Sequence, residues 1–307
     1  MNKNSKIYIA GHAGMAGAAV LSQLKSRGYT NLVVRSRKEL DLVDQSAVAG
    51  FFAKEKPEYV VLAAGKTGGI YANNEYCADY IYENVMIQSN IIYQAFLSEV
   101  KKLVFFSCSV VYPKDRTCPM REEDILTGPL ERMTEAGAVA KIAGWKMCES
   151  FNRQYGTDFI TLILTNIYGP GQRYDAFDSM VVPALLLKFH QAKINGHDKV
   201  VIKGDGSQIR DFLYVDDLAS AAIFILEEYR GNDCFNVASG RNCSIRELAA
   251  IIKKEVGYEG QIAYDATKAS GIPMKVLDGS RMKALGWFAR VDLEDGIRRA
   301  YRDLLKQ

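Results

Sequence analysis

Short apolar runs alternate with longer stretches of helical spacing along the first two thirds of the chain. Lys6-Ile-Tyr-Ile-Ala10 is the first such run, of the kind a strand buried on both faces makes. It feeds Gly11-His-Ala-Gly14-Met-Ala-Gly17, after which Val20, Leu21 and Leu24 recur at helical spacing. Asn31–Val34, Tyr59–Gly65, Lys102–Tyr112 and Thr161–Asn166 read as further strands, with a long helix around Asn84–Asn90. Strands alternating with helices predict an α/β fold, a doubly wound parallel sheet of the Rossmann kind with right-handed crossovers. The glycine- and proline-rich Tyr168-Gly-Pro-Gly-Gln-Arg173 marks where the chain leaves that sheet. A dinucleotide-binding domain is expected over residues 1–170 plus about 206–235. A smaller, mostly helical substrate domain is expected over about 171–205 plus 236–307. The length of 307 residues suits one large domain or two coupled ones.

Gly11, Gly14 and Gly17 have the GxxGxxG spacing. Glycines there allow a tight turn, close approach of backbone to a pyrophosphate, and close packing of helix on strand. The helix start at Met15 offers unpaired N–H groups and a positive dipole end to phosphate. A plain strand-to-helix turn is the alternative, and the strand before and helix after favour dinucleotide binding. The second strand ends in Arg35-Ser36-Arg37-Lys38. NAD-binding folds usually place an acid here for the ribose 2′-hydroxyl. Arg35 and Arg37 suit a 2′-phosphate, so NADP(H) is expected, with a solvated basic loop as the alternative. Asp41, Leu42 and the small residues Ala63, Ala64 and Gly65 are expected to line the adenosine and pyrophosphate.

Composition narrows the function classes. Hydrophobic residues at 48% and charged residues at 24% are ordinary globular values. A net charge of +3 is too small to argue for nucleic acid or a membrane surface, so neither is an expected partner. The six cysteines (77, 108, 118, 148, 234 and 243) form no CxxC pair, and with three histidines no metal site is expected. His190 and His197 fall in a helix and an exposed loop. No signal-peptide pattern or membrane-length apolar run is present, so a reduced, cytoplasmic protein is expected.

Several strings together are similar to the extended short-chain dehydrogenase/reductases, and most closely to the GDP-L-fucose synthases. They are Gly11-His-Ala-Gly-Met15, Gly68-Gly-Ile-Tyr-Ala-Asn-Asn74, Ile81-Tyr-Glu-Asn84, Ala140-Lys-Ile-Ala-Gly144, Cys148–Gly156, Thr165-Asn-Ile-Tyr-Gly-Pro170, Arg210–Asp217 and Ser244–Ala249. The likeness runs from about residue 5 to 303. It implies a homodimer, joined through helices around 80–100 and 140–156. It implies an enzyme that epimerises a GDP-4-keto-6-deoxyhexose at two carbons and reduces its ketone with NADPH. It also implies that Asn166 touches cofactor and sugar, and that Arg210 grips the nucleotide diphosphate, where a structural salt bridge is the alternative.

The departures from that pattern fall on the chemistry. Lys141 stands at the active-site lysine position, but four residues earlier, where the family has its tyrosine, stands Gly137. Cys108 stands at the serine position, Val110 at the epimerisation cysteine and Met180 at the epimerisation histidine. Epimerisation beside a ketone needs one group to remove a C–H proton and another to return one on the opposite face. Val110 and Met180 do not titrate, so no epimerase activity is expected. Reduction needs less: hydride comes from the cofactor, and the protein must place and polarise the ketone oxygen. Lys141 can hold ribose and stabilise a developing alkoxide. Ser107, Ser109, a water at Gly137 or Tyr174 can donate, with a plain loop tyrosine as the alternative for Tyr174, whereas Cys108 is a poor donor. Lys188 and Lys203 replace an arginine and an aromatic residue of the family's nucleotide site, and the loop Gly171-Gln-Arg173-Tyr174 also differs. GDP stays first choice, with a 6-deoxyhexose or a heptose as the sugar. A non-catalytic NADP- or nucleotide-sugar-binding protein is the rival expectation.

Overall fold

The computed structural model describes residues 1–116, 119–175, 179–267 and 272–307. Cys118 and Asp178 lie outside them. In chain order the first elements are β1 (Ile7–Ala10), α1 (Met15–Ser26), β2 (Leu32–Val33), α2 (Gln45–Glu55), β3 (Tyr59–Leu62), α3 (Ile70–Glu75), α4 (Cys77–Leu97), β4 (Lys102–Cys108), α5 (Glu135–Tyr155) and β5 (Phe159–Leu164). There follow β6 (Asn166–Tyr168), α6 (Val181–Ile194), β7 (Lys199–Lys203), β8 (Ile209–Tyr214), α7 (Val215–Glu227), β9 (Cys234–Val237), β10 (Asn242–Ser244) and α8 (Ile245–Val256). The chain ends through β11 (Gln261–Asp265), β12 (Met274–Lys275), α9 (Ser280–Ala284) and α10 (Leu293–Leu304).

Six strands form one wholly parallel sheet in the order β2-β1-β3-β4-β5-β9. The reversal of direction at β1 makes it doubly wound, as the apolar runs predict. These strands read as continuous hydrophobic runs because both faces are covered. One face packs Ile7, Ile9, Val104, Phe106 and Leu162 against α1 and α7. The other packs Tyr8, Ala10, Leu103 and Phe105 against α2, α4 and α5.

A second core gathers α6, α8 and α10 around Leu186, Phe189, Leu248, Ile252 and Ile297. This part is not helical alone. β8 pairs with β6 and β12 in parallel and with β10 antiparallel, and β7 pairs with β11. Ser244 caps α8: Ser244 Oγ accepts from Glu247 N at 3.1 Å, and Glu247 Oε2 accepts from Ser244 N at 2.7 Å.

The fourth strand is shorter than its apolar run. It stops at Cys108, and Ser109–Val111 turn into a single 3₁₀ turn. The Tyr112 hydroxyl then donates to Asn236 Oδ1 at 2.6 Å, inside a small core of its own. That buried hydrogen bond fixes a bend which hydrophobicity alone cannot announce.

Candidate active site

The glycine turn closes on itself. Gly11 has φ +88, and a β-carbon on it would lie 2.6 Å from Ala64 N. One on Gly17 would lie 2.2 Å from Gly11 O. These two glycines therefore exist for packing: strand, turn and helix meet with no space for a side chain. Gly14 differs, since its nearest neighbour would be Gly11 O at 3.5 Å. It is the N-cap of α1 and supplies no side-chain cap, so the first N–H groups of the helix have no side-chain acceptor there. A pyrophosphate fits that cradle, which a side chain at Gly14 would fill.

The end of β2 is more occupied than the sequence suggests. Arg35 Nη2 meets Glu55 Oε1 at 2.6 Å, and its Nη1 donates to Val34 O. Arg37 is mostly exposed, with Nη2 3.5 Å from Glu83 Oε2. Ser36 donates from both N and Oγ to Glu39 Oε2 at 2.7 Å, and these bonds hold the Glu39 carboxyl below its usual range. Asp41 and Leu42 are held by the chain itself: Asp41 Oδ1 accepts from Val43 N, and Leu42 O accepts from Asn90 Nδ2 at 2.9 Å.

Across the sheet, the ends of β3 and β4 meet α4 and α5. Ala63 N donates to Ala10 O, and Gly65 lies between Asn84 and Lys141. A β-carbon on Gly65 would stand 2.6 Å from Asn84 Oδ1 and 3.5 Å from Lys141 Nζ. Asn84 had no assigned role in the sequence reading beyond its place in a matching string. Buried on α4, it accepts from Lys66 N at 3.0 Å and donates to Lys66 O and Tyr80 O. It thus shapes the turn that faces the lysine.

Lys141 is 9% exposed, and its Nζ donates to Phe106 O at 3.0 Å above the Phe105 ring. Burial lowers its pKa below the usual lysine value, and Cys108 works in the opposite sense. Cys108 is half-buried at the strand end, followed by Ser109 and Val110 in the 3₁₀ turn. Ser107, one residue earlier, is buried with a hydroxyl that has no hydrogen-bond partner among the described residues.

Gly137 lies one turn of α5 before Lys141 and is buried. A β-carbon there would stand 2.8 Å from Asn73 Oδ1. Asn73, on α3, is fixed by donating from Nδ2 to Gly68 O and Gly69 O, each at 3.1 Å. Gly137 is therefore bordered by an amide of a neighbouring helix.

The remaining expected residues spread over the second core. Met180 is exposed at the N-cap of α6. Lys188 Nζ donates to Val201 O, and burial with the nearby Lys203 lowers its pKa. Lys203 Nζ lies 5.1 Å from the centroid of the Tyr71 ring. Arg210 Nη1 donates to Ile209 O, and Asn166 Nδ2 donates to Asp211 O at 2.9 Å. Tyr174 is not positioned as a spare donor. Its hydroxyl donates to Ala300 O at 2.7 Å, accepts from Gln172 Nε2, and is pushed up to about 12 by burial.

A glycine cradle at the first strand–helix turn of a doubly wound sheet, with a buried lysine across the strand ends, defines a dinucleotide-binding protein of the Rossmann class. Residues 7–238 match the NAD dependent epimerase/dehydratase family, and the chain belongs to it. GDP-L-fucose synthase of Escherichia coli (strain K12) is 46% identical over 310 residues, covering 98% of this chain and 97% of its own length. Among solved structures, a GDP-6-OMe-4-keto-L-xylo-heptose reductase from Campylobacter jejuni superposes with a TM-score of 0.93 at 40% identity, covering 100% of this chain and 99% of that one. The GDP-mannoheptose C4 reductase MlghC from the same organism, with NADP bound, gives a TM-score of 0.91 at 41% identity and covers 100% of both.

Proposed function

We propose that this protein reduces the 4-keto group of a nucleotide-diphosphate sugar, GDP-linked by preference, using NADPH and without epimerising C3 or C5. The observation that carries the reading is Lys141, a buried ammonium with one backbone acceptor, beside a cradle shaped for a dinucleotide. NADP is bound by the MlghC structure, and the two heptose reductases name a GDP-linked keto sugar or its reduction. Bound, the cofactor supplies the hydride. The chain's own groups hold the pyrophosphate at Gly14 and the α1 N-terminus, seat the nicotinamide ribose near Lys141, and polarise the ketone oxygen. Lowered in pKa by burial, the Lys141 ammonium gives its proton to the developing alkoxide and is reprotonated from solvent. Ser107, one residue before the strand end, adds a buried hydroxyl, and Arg210 with Lys188 and Lys203 would meet the diphosphate.

The absence of epimerase chemistry follows from side chains that cannot move protons, Val110 and Met180. Incubating the protein with NADPH and a GDP-4-keto sugar in deuterium oxide tests both halves. Cofactor oxidation with no deuterium at C3 or C5 is expected, and deuterium at either carbon would refute the second half.

The rival reading, a non-catalytic NADP or nucleotide-sugar binder, is favoured by Gly137 itself, which removes the family's hydroxyl. Turnover separates the two. A homodimer is part of the proposal: Tyr82, Tyr93 and Leu97 on α4 and Val139 and Tyr155 on α5 are exposed on a packed helix pair. Such a protein, fed by NADPH and a nucleotide sugar, would work in the cytoplasm.

A further inference from the structure

Tyr71 sits on α3, directly after the Gly68-Gly69 turn, with 52% of its surface exposed. The helix that carries it is tied to the first core, since Asn73 is bonded to Gly68 O and Gly69 O and borders Gly137 of α5. Lys203 belongs to the second core, as the last residue of β7. Along β7, Val200 and Ile202 point inward while Lys199, Val201 and Lys203 point out. The Lys203 ammonium reaches the Tyr71 ring at 5.1 Å from its centroid. The pair therefore spans the opening between the two cores. Lys188 stands close on the same side, its Nζ on Val201 O and its charge felt by Lys203.

An exposed aromatic face opposite two clustered ammonium groups suits a ligand with a flat ring at one end and negative charge beside it. That is the chemistry of a nucleoside diphosphate. We infer that Tyr71 is the nucleobase platform of the substrate site, and that Lys203 leaves the ring for the diphosphate when the base stacks there. Both partners gain by the exchange. An exposed cation–π contact is the weaker interaction, and base stacking on an aromatic ring is the stronger. The released ammonium gains a charge-assisted bond to phosphate. Because stacking accepts any base, Tyr71 sets affinity for the nucleotide rather than the choice of guanine. The inference rests on the nucleotide-sugar reading above.

The test is calorimetric titration of the full chain, saturated with NADP+, using GDP and inorganic pyrophosphate as probes. Tyr71→Ala is expected to weaken GDP about tenfold, and Tyr71→Phe to stay within about twofold of the unaltered chain. Pyrophosphate binding should not be weakened by Tyr71→Ala but should be weakened by Lys203→Ala. NADP+ binding, measured separately, should be the same in all variants, which shows that each is folded. GDP binding that survives Tyr71→Ala unchanged would overturn the inference alone. An unaltered chain that binds none of GDP, UDP or dTDP would overturn the nucleotide-sugar reading, and this one with it.

Discussion

Asn73 and Gly137 are complementary: the amide oxygen of one lies 2.8 Å from where the other would carry a β-carbon. The space beside Gly137 is therefore taken by Asn73. Restoring a side chain at 137 must move Asn73 and loosen its bonds to the Gly68-Gly69 turn.

Gly137→Ala should be nearly neutral alone. The helix gains about 1 kcal/mol of propensity, while displacing Asn73 costs about 1 kcal/mol of hydrogen bonding. In an Asn73→Ala background the same substitution should stabilise by about 1 kcal/mol. A double-mutant cycle in urea checks this, and strict additivity would show that the two residues do not compete for space. By the same reasoning, Gly137→Tyr should raise reductase turnover more in the Asn73→Ala background than alone.

Lys141→Met should remove measurable turnover. In the unaltered protein the lowered pKa of Lys141 means its ammonium is lost at a lower pH than an ordinary lysine's. Reductase kcat should accordingly fall as pH rises, with a midpoint below 10.5. Lys141→Arg, which cannot deprotonate in this range, should lose that alkaline limb along with most of the rate. A pH–rate profile that stays flat into the alkaline range would assign the proton to another group.

Two glycines of the first turn should respond differently. Gly17→Ala forces a β-carbon to within 2.2 Å of Gly11 O and should disrupt the fold. Gly14→Ala has space in the protein, with Gly11 O at 3.5 Å, and should leave thermal stability nearly unchanged. Its methyl group would stand in the cradle, so NADPH affinity should drop by at least about tenfold. Fluorescence titration with NADPH beside a thermal melt distinguishes the two.

Asp211 predicts a pH-dependent term in stability. It is fully buried, and burial raises its pKa from 3.8 to about 6 despite hydrogen bonds from Ser239 N and Oγ. Since the folded value is above the unfolded one, its contribution is complete below pH 3.8 and is lost as pH rises through about 6. The shift corresponds to an energy on the order of 3 kcal/mol. Asp211→Asn carries no such term, so its stability relative to the unaltered protein should improve between pH 4 and 7. Equal slopes in denaturant titrations across that range would refute it.

The architecture was legible because it rests on local pattern. Ile7–Ala10, the three glycines and Val20–Leu24 announce strand, turn and helix in consecutive residues, and the structure folds them so. The place of Gly137 four residues before Lys141 was legible too. What fills its surroundings was not. Asn73 reaches Gly137 across 64 residues of chain, and no period or spacing encodes a contact of that range. Arg35 shows the same limit. Its charge was visible in the sequence, but its commitment to Glu55 depends on how α2 packs beside β2. Tyr71 read as one letter of a matching string, and its value comes only from the lysine opposite.

Strand β8 ends at Tyr214 and α7 begins at Val215, with no residue between them. In the strand Phe212 and Tyr214 pack into the second core and Leu213 into the first, while the helix packs Leu218, Ala222 and Ile225 onto the large sheet. The polypeptide therefore serves both cores from adjacent residues. Such a chain is not modular: neither half can be excised, shuffled to another protein or circularly permuted here without unravelling its neighbour. New ligand preferences on this frame are therefore expected from exchanging side chains within it, and not from trading halves.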